Sequence, residues 1–188
     1  MQAKESKQPW LVEGNPWGNE AKFITWVRGV LRKGWGVHPL KLIYKNARKV
    51  KVKNTNPRSM KAHPEVFKIQ CEKCLSLVSP AEIEIDHKGD YQGKFTCMDD
   101  IQGYAEHLYM IDMESIQCVC KTCHKAISHS QKTGVSFEEA VMLKEVIRID
   151  KEESVDDIIT FCEDYGFFDN GSKKKRKENV EAIFRSIE

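Results

Sequence analysis

The sequence predicts an α+β fold, mainly helical, built around a small strand–strand–helix finger closed by a metal ion. Three observations point there. Four cysteines fall in two CxxC pairs, Cys71/Cys74 and Cys120/Cys123. Between them a short apolar alternation ends in Asp86-His87, and His124 follows the second pair directly. Elsewhere the apolar residues recur at helical rather than strand spacing.

The cysteines come first because their chemistry is the most specific. Two CxxC pairs place four thiolates around one tetrahedral ion, which is what structural zinc requires. Such a site leaves no open position for chemistry. Asp86, His87 and His124 then remain available for a second site with oxygen and nitrogen ligands.

The string from Cys71 to Lys125 resembles the HNH endonucleases, in the zinc-knuckle branch found in phages and in homing or restriction enzymes. The family pattern is CxxC, a strand ending in Asp-His, an Asn, and CxxCH on a helix. This chain supplies Cys71-Glu72-Lys73-Cys74, Ile83 and Ile85 before Asp86-His87, and Cys120-Lys121-Thr122-Cys123-His124. One letter departs: the family Asn, five residues before the third zinc cysteine, is here Ser115. The resemblance covers roughly the central third of the chain and implies a ββα-metal finger. It also implies hydrolysis of phosphodiester bonds in double-stranded DNA, with His87 as general base and Asp86 and His124 holding a catalytic divalent ion (Mg, Mn or another). Ser115 would then donate the hydrogen bond that braces the loop carrying the base. A phage or mobile-element origin follows from the same resemblance.

The net charge of +2 over 188 residues hides an asymmetry. Residues 21–61 hold twelve Lys or Arg and no Asp or Glu, residues 135–170 are predominantly acidic, and Lys173-Lys174-Lys175-Arg176-Lys177 restores positive charge. A segment of one sign is the footprint expected of a protein that holds a phosphate backbone. Arg28, Arg32, Lys33, Lys45, Arg48, Lys49, Lys51, Lys53 and Arg58 are the candidate DNA contacts, with Lys125 added on the finger.

Taken in order, the elements are these. Phe23, Trp26, Val27, Val30 and Leu31 share one stripe of a helix that ends at Gly34 and Gly36. Trp26 either packs a two-helix mini-core or stacks on bases, and Trp35 is a second candidate for stacking. Pro39 opens the next helix, with Leu40, Ile43 and Ala47 inward and Lys41, Lys45, Arg48 and Lys49 outward. Val50 to Lys53 alternates like a short edge strand, and residues 54–58 read as a turn. Residues 82–85 and 116–119 are the two strands of the finger, and a helix starts at Cys123. The 27 residues between His87 and Ser115 contain a helix over about 98–109, striped by Ile101, Tyr104, Ala105 and Leu108, with Thr96 and Asp99 as its cap. Ser136 with Glu139 opens a helix over 137–149, with Ala140, Leu143, Val146 and Ile147 inward. Ser154 opens another over 155–165, stopped by Gly166.

These elements group into a flexible N-terminus (1–17), a basic helical arm (18–66), the nuclease core (67–134), an acidic helical region (135–169) and a basic tail with a short helix (170–188). Residues 170–178 lack periodicity and are expected to be mobile. Cys97, Cys118 and Cys162 read as small buried residues. His129 is a DNA contact or nothing, His107 is structural, and His38 and His63 have no assigned role. No apolar run reaches membrane length and no signal-peptide core is present, so a cytoplasmic protein with reduced thiols is expected. The oligomeric state is not encoded legibly. Two function classes compete: a metal-dependent endonuclease, and a zinc-finger DNA-binding module that needs only the cysteines and the basic arm.

Overall fold

The computed structural model describes residues 8–89 and 95–187. The chain is mixed α and β and 56% helical, as the sequence predicts. It divides into two compact units, residues 1–118 and 119–188. Residues 1–7 of the expected flexible N-terminus lie outside the described residues.

The first unit opens with α1 (Glu20–Gly36), capped by the Asn19 side chain, which accepts from Lys22 N. Its buried face is Ile24 and Val27, with Phe23, Leu31 and Trp35 packed alongside. The expected stripe is therefore rotated. Trp26 and Val30 are exposed, and Trp26 rests against Trp17 and Phe23 in an aromatic group on the surface. Gly34 does not end the helix. A Cβ there would run into the Tyr109 hydroxyl, which donates to the Leu31 carbonyl, so glycine permits a close helix approach.

The facing helix is α3 (Ile101–Tyr109), which contributes Tyr104 and Leu108 to the same core around Phe95. The long insert after His87 thus returns to pack on α1. The capping box lies one residue later than expected and closes the 3-10 turn (Met98–Asp100) that leads into α3: the Asp100 carboxylate accepts from the backbone N–H groups of Thr96 and of Cys97, the cap residue.

In α2 (Pro39–Ala47) the inward face is only in part the expected one. Tyr44 is fully buried, Leu40, Lys41, Lys45 and Arg48 are half-buried, and Leu42 and Ile43 are exposed. Counting apolar letters missed this because the anchor is an amphipathic Tyr whose hydroxyl has acceptors waiting inside.

Three strands, β1 (Val50–Lys53), β2 (Glu65–Gln70) and β3 (Leu77–Val78), form an antiparallel sheet in that order. The 54–64 connection is fixed by buried Asn54, whose amide donates to the His63 carbonyl and the Ser59 hydroxyl. A second sheet pairs β4 (Ile83–His87) with β5 (Ile116–Cys120). All five β5 residues are buried.

The second unit continues with α4 (Lys121–Thr133), α5 (Phe137–Glu152), α6 (Val155–Asp164) and α7 (Lys173–Ile187). Ser136 and Ser154 cap α5 and α6 as expected. Val146, Ile158, Cys162, Val180 and Ile183 form the core. The run Lys173–Lys177, expected to be mobile, is the first turns of a 15-residue helix. The buried Val180 and Ile183 three residues apart carry it, and basic letters at its start hid the period. No helix among the described residues is long and apolar enough to cross a membrane.

Candidate functional site

The first cysteine pair sits on the turn that joins β2 to β3. Leu75 adopts φ 61, a left-handed backbone that a non-glycine residue rarely takes. The turn is closed by Leu75 N donating to the Cys71 carbonyl at 2.9 Å and Cys71 N donating to the Ser76 carbonyl at 3.0 Å. The second pair spans the β5–α4 junction, where the Cys120 sulfur caps the helix by accepting from Cys123 N at 3.4 Å.

The four sulfurs all lie within 4.8 Å of one another. Tetrahedral thiolates bonded to zinc stand about 3.8 Å apart, from a Zn–S length of about 2.3 Å, so the donor set fits. These cysteines form a site that can hold a metal ion such as zinc. They are the one group of three or more Cys, His, Asp or Glu residues with metal-ligand spacing among the described residues.

Glu72, inside the first CxxC, organises its surroundings. Its backbone N–H donates to the Cys118 carbonyl at 2.8 Å, and its carboxylate accepts from Cys118 N at 2.9 Å. The same carboxylate meets Arg48 at 3.3 Å and Lys88 at 4.0 Å. Arg48 also lies over the Tyr44 ring, 3.3 Å from its centroid. Burial pushes the Cys118 thiol up to about 11, so Cys118 is a neutral packing residue, as is Cys162 in the second unit's core.

Asp86 and His87 stand at the end of β4. The His87 ring lies between the Trp35 indole, 4.1 Å between centroids, and the His107 imidazole, 4.6 Å away. His87 hydrogen-bonds the backbone of Leu108. Its Nε2 is buried and has no hydrogen-bond partner among the described residues. Burial, followed by the neighbouring His107, lowers the His87 pKa below its ordinary 6.5. Burial lowers His107 too, against the pull of Asp86. His107 forms one wall of the His87 ring.

Ser115 holds this region through its backbone. Its carbonyl accepts from Lys88 N at 2.7 Å, while its hydroxyl donates to Asp112 at 2.5 Å. The side chain that reaches the His87 backbone is Gln117, which donates to the His87 carbonyl at 3.0 Å. Sequence reasoning missed Gln117. The available signal was a Gln set between apolar residues of a strand, and its side chain is buried and bonded as such a position requires. His124 lies on α4 one residue past Cys123 and is half-buried, with Lys125 exposed beside it. His38 does have a role: its Nδ1 caps α2 by accepting from Leu40 N at 3.3 Å.

The candidate DNA contacts separate into two sets. Arg28 donates to the Phe95 carbonyl, Arg32 to the Tyr104 hydroxyl at 3.1 Å, and Lys45 to the Ile83 carbonyl at 3.1 Å. Arg48 pairs with Glu72. These four join elements of the first unit together. Lys33, Lys49, Lys53 and Arg58 are exposed, and Lys51 is exposed with Glu65 at 3.7 Å. Compared with protein-family models, curated proteins and solved structures, the chain matches none.

Proposed function

We propose that the protein is a metal-dependent DNA endonuclease of HNH type, with a structural zinc held by Cys71, Cys74, Cys120 and Cys123. The observation that supports this reading is the state of His87. At the end of β4 its ring is held between Trp35 and His107, and burial lowers its pKa, which favours the neutral form. A general base needs that form at working pH.

In this reading the His87 imidazole takes a proton from the attacking water. The water oxygen forms the new bond to phosphorus, one P–O ester bond breaks, and the departing oxygen leaves as a hydroxyl after protonation from solvent. The products are a phosphomonoester and a free hydroxyl. Asp86 and His124 are the residues the family pattern assigns to a divalent ion. Two protein ligands suit Mg or Mn, which keep most positions for water and phosphate oxygens. Such an ion supplies Lewis acidity at the phosphate and stabilises the leaving oxygen. Gln117 keeps the backbone of the base in place. The exposed lysines of β1 and its flanks suit a duplex backbone.

The test is supercoiled plasmid incubated with the protein, with Mg, Mn, Ni or Zn added or with EDTA. Nicked or linear product that needs an added ion and vanishes with EDTA is expected. A protein that retards plasmid yet leaves it supercoiled with every ion is a zinc-finger DNA-binding module instead.

A further inference from the structure

We propose that the outer face of α1 binds single-stranded DNA, with Trp26 as the stacking surface for an unpaired base; the choice of DNA rests on the endonuclease reading above. α1 is one continuous helix from Glu20 to Gly36, so successive residues turn by about 100°. Lys22, Trp26, Gly29, Val30 and Lys33 therefore share an arc of about 100°, and all five are exposed. The buried Ile24 and Val27 fall outside it. Trp26 is 53% exposed and Val30 48%, an unusual place for an indole, which is highly buried on average. The ring is nonetheless held. Its centroid lies 5.3 Å from that of Trp17 and 5.9 Å from that of Phe23, and Trp17 meets Phe23 edge-on at 4.9 Å. An aromatic already fixed in place loses little freedom when a second ring stacks on it.

Gly29 is a second, independent observation. A glycine inside a helix weakens it relative to alanine. At Gly34 the nearby Tyr109 hydroxyl accounts for the missing side chain, but at Gly29 a Cβ would meet nothing within 4 Å. Packing among the described residues therefore gives Gly29 no reason. One turn from Trp26 and one turn from Lys33, it leaves a low spot on the exposed arc where a sugar or a flat ring can approach the backbone. Charge selects the occupant. Lys22 and Lys33 are the charged residues of the arc, about 16 Å apart along the axis, and neither has an ion pair among the described residues. Residues 21–61 hold no Asp or Glu. Of the acids just before them, Glu20 projects about 120° away from Trp26, and Glu13 sits in the exposed loop ahead of the helix. Cations on either side of an exposed ring match the phosphate–base–phosphate order of a polynucleotide. Stacking selects a single strand. In a duplex the base faces cover one another and the grooves offer edges alone, whereas an unpaired base presents its π-face to any aromatic. The competing account is that Trp26 only shields Phe23 and Trp17 from water.

The probe is a fluorescein-labelled oligothymidylate of about a dozen nucleotides, compared with a labelled duplex of the same length. Binding is followed by anisotropy on the zinc-loaded protein with no other metal added. Trp26→Ala should weaken single-strand binding by about tenfold or more, the order of one lost base stack, and duplex binding by less than about twofold. Trp26→Phe should recover most of that loss. Gly29→Leu should keep or raise the melting temperature, since leucine is the better helix former, and still weaken the single strand severalfold by filling the low spot. Lys22→Ala combined with Lys33→Ala should shallow the salt slope on the single strand by about 1.4, at about 0.7 per lost contact. Single-strand affinity unchanged in Trp26→Ala overturns the proposal, and plasmid still cut by the wild type then leaves the nuclease standing. Equal weakening on strand and duplex overturns it as well. So does Trp26-dependent dimerisation in sedimentation velocity with strand binding unaltered, which assigns the face to a second copy of the chain. Where Trp26→Ala lowers the melting temperature, Gly29→Leu decides, and wild-type strand binding in that variant overturns the proposal. Trp26-dependent strand binding in a protein that leaves plasmid intact with every ion keeps the site and removes the nuclease.

Discussion

The Tyr44 hydroxyl lies 2.8 Å from the Glu72 carboxylate and 2.8 Å from the Ile116 carbonyl, one proton shared between two acceptors. It ties α2 to the first cysteine turn and to β5 at once. Burial, then the Glu72 contact, raises the pKa of Tyr44 well above its ordinary value, so the phenol stays protonated and donating. Tyr44→Phe keeps the ring and removes the donor, leaving a buried carbonyl with no side-chain partner. It should lower unfolding free energy by about 1–3 kcal/mol, read from urea denaturation. A change below about 0.5 kcal/mol would mean that water replaces the hydroxyl and that the tie is weak.

The cysteine cluster predicts that metal and fold are linked. Cys74→Ser should lose the ion and much of the folded population together, because metal binding at such a site is part of the folding free energy. The purified wild type should carry about one tightly held zinc per chain, as a closed four-thiolate site does. Native mass spectrometry gives the count and circular dichroism the folded fraction. A folded wild type with no bound metal after purification without chelators would refute the assignment.

His87 and His107 predict a pH dependence of stability. Both have folded pKa values below the ordinary 6.5. The unfolded chain therefore binds more protons than the folded one once pH drops below about 6.5, and stability falls with pH. Their contribution is fully present above 6.5 and is lost as pH falls through the depressed folded values. Urea midpoints at pH 7.5, 6.5 and 5.5 should decline over the last interval. Metal binding to thiolates is itself pH-dependent, so His107→Leu is the control, and its decline should be shallower than that of the wild type. Equal slopes in both proteins would assign the effect to the metal site alone.

The legible parts of this chain were those fixed by local letters. CxxC spacing, serine caps at Ser136 and Ser154, and the alternation of Val50 to Lys53 all appear where expected. The misread parts depend on long-range partners. The face of α2 is set by acceptors on Glu72 and Ile116, so Lys41, Lys45 and Arg48 turn inward although their letters point outward. Strand β2 was missed because it alternates on a half-exposed sheet with Lys68 in its middle. His107 gains its place against His87 only when the insert folds back, and nothing within the local sequence announces that. A short helix was expected in the basic tail, but the start of α7 was hidden by the basic run that opens it.

His87→Ala tests the proposed base. Its imidazole is stacked between two rings and is half-buried, so a shape-retaining control, His87→Gln, belongs beside it. Both should retain duplex affinity and lose cleavage by about a hundredfold or more, the usual loss for a general base. Imidazole added to His87→Ala should restore part of the rate, since the missing group is the base alone. Cleavage at the wild-type rate in either variant would exclude His87 from the chemistry.

The basic arm gives the final prediction, and the two sets of cations sharpen it. Lys49 precedes β1 and Lys53 is its last residue; both are exposed and have no ion pair among the described residues. Arg48 is held by Glu72 at 3.3 Å and stacked on Tyr44. Each duplex phosphate that a protein no longer neutralises lowers the slope of log affinity against log salt by about 0.9. Replacing Lys49 and Lys53 together by Ala should therefore shallow the slope by about two units, measured by fluorescence anisotropy across a salt series. The weakening should be similar on unrelated sequences, because phosphate contacts position a protein without reading bases. Arg48→Ala should instead lower the melting temperature and leave the slope unchanged, since its guanidinium serves Glu72. A double variant that folds normally and keeps the wild-type slope would show that this edge is merely solvated. An Arg48→Ala protein of normal stability with a shallower slope would show the opposite for Arg48, that its pairing with Glu72 gives way to phosphate when DNA arrives.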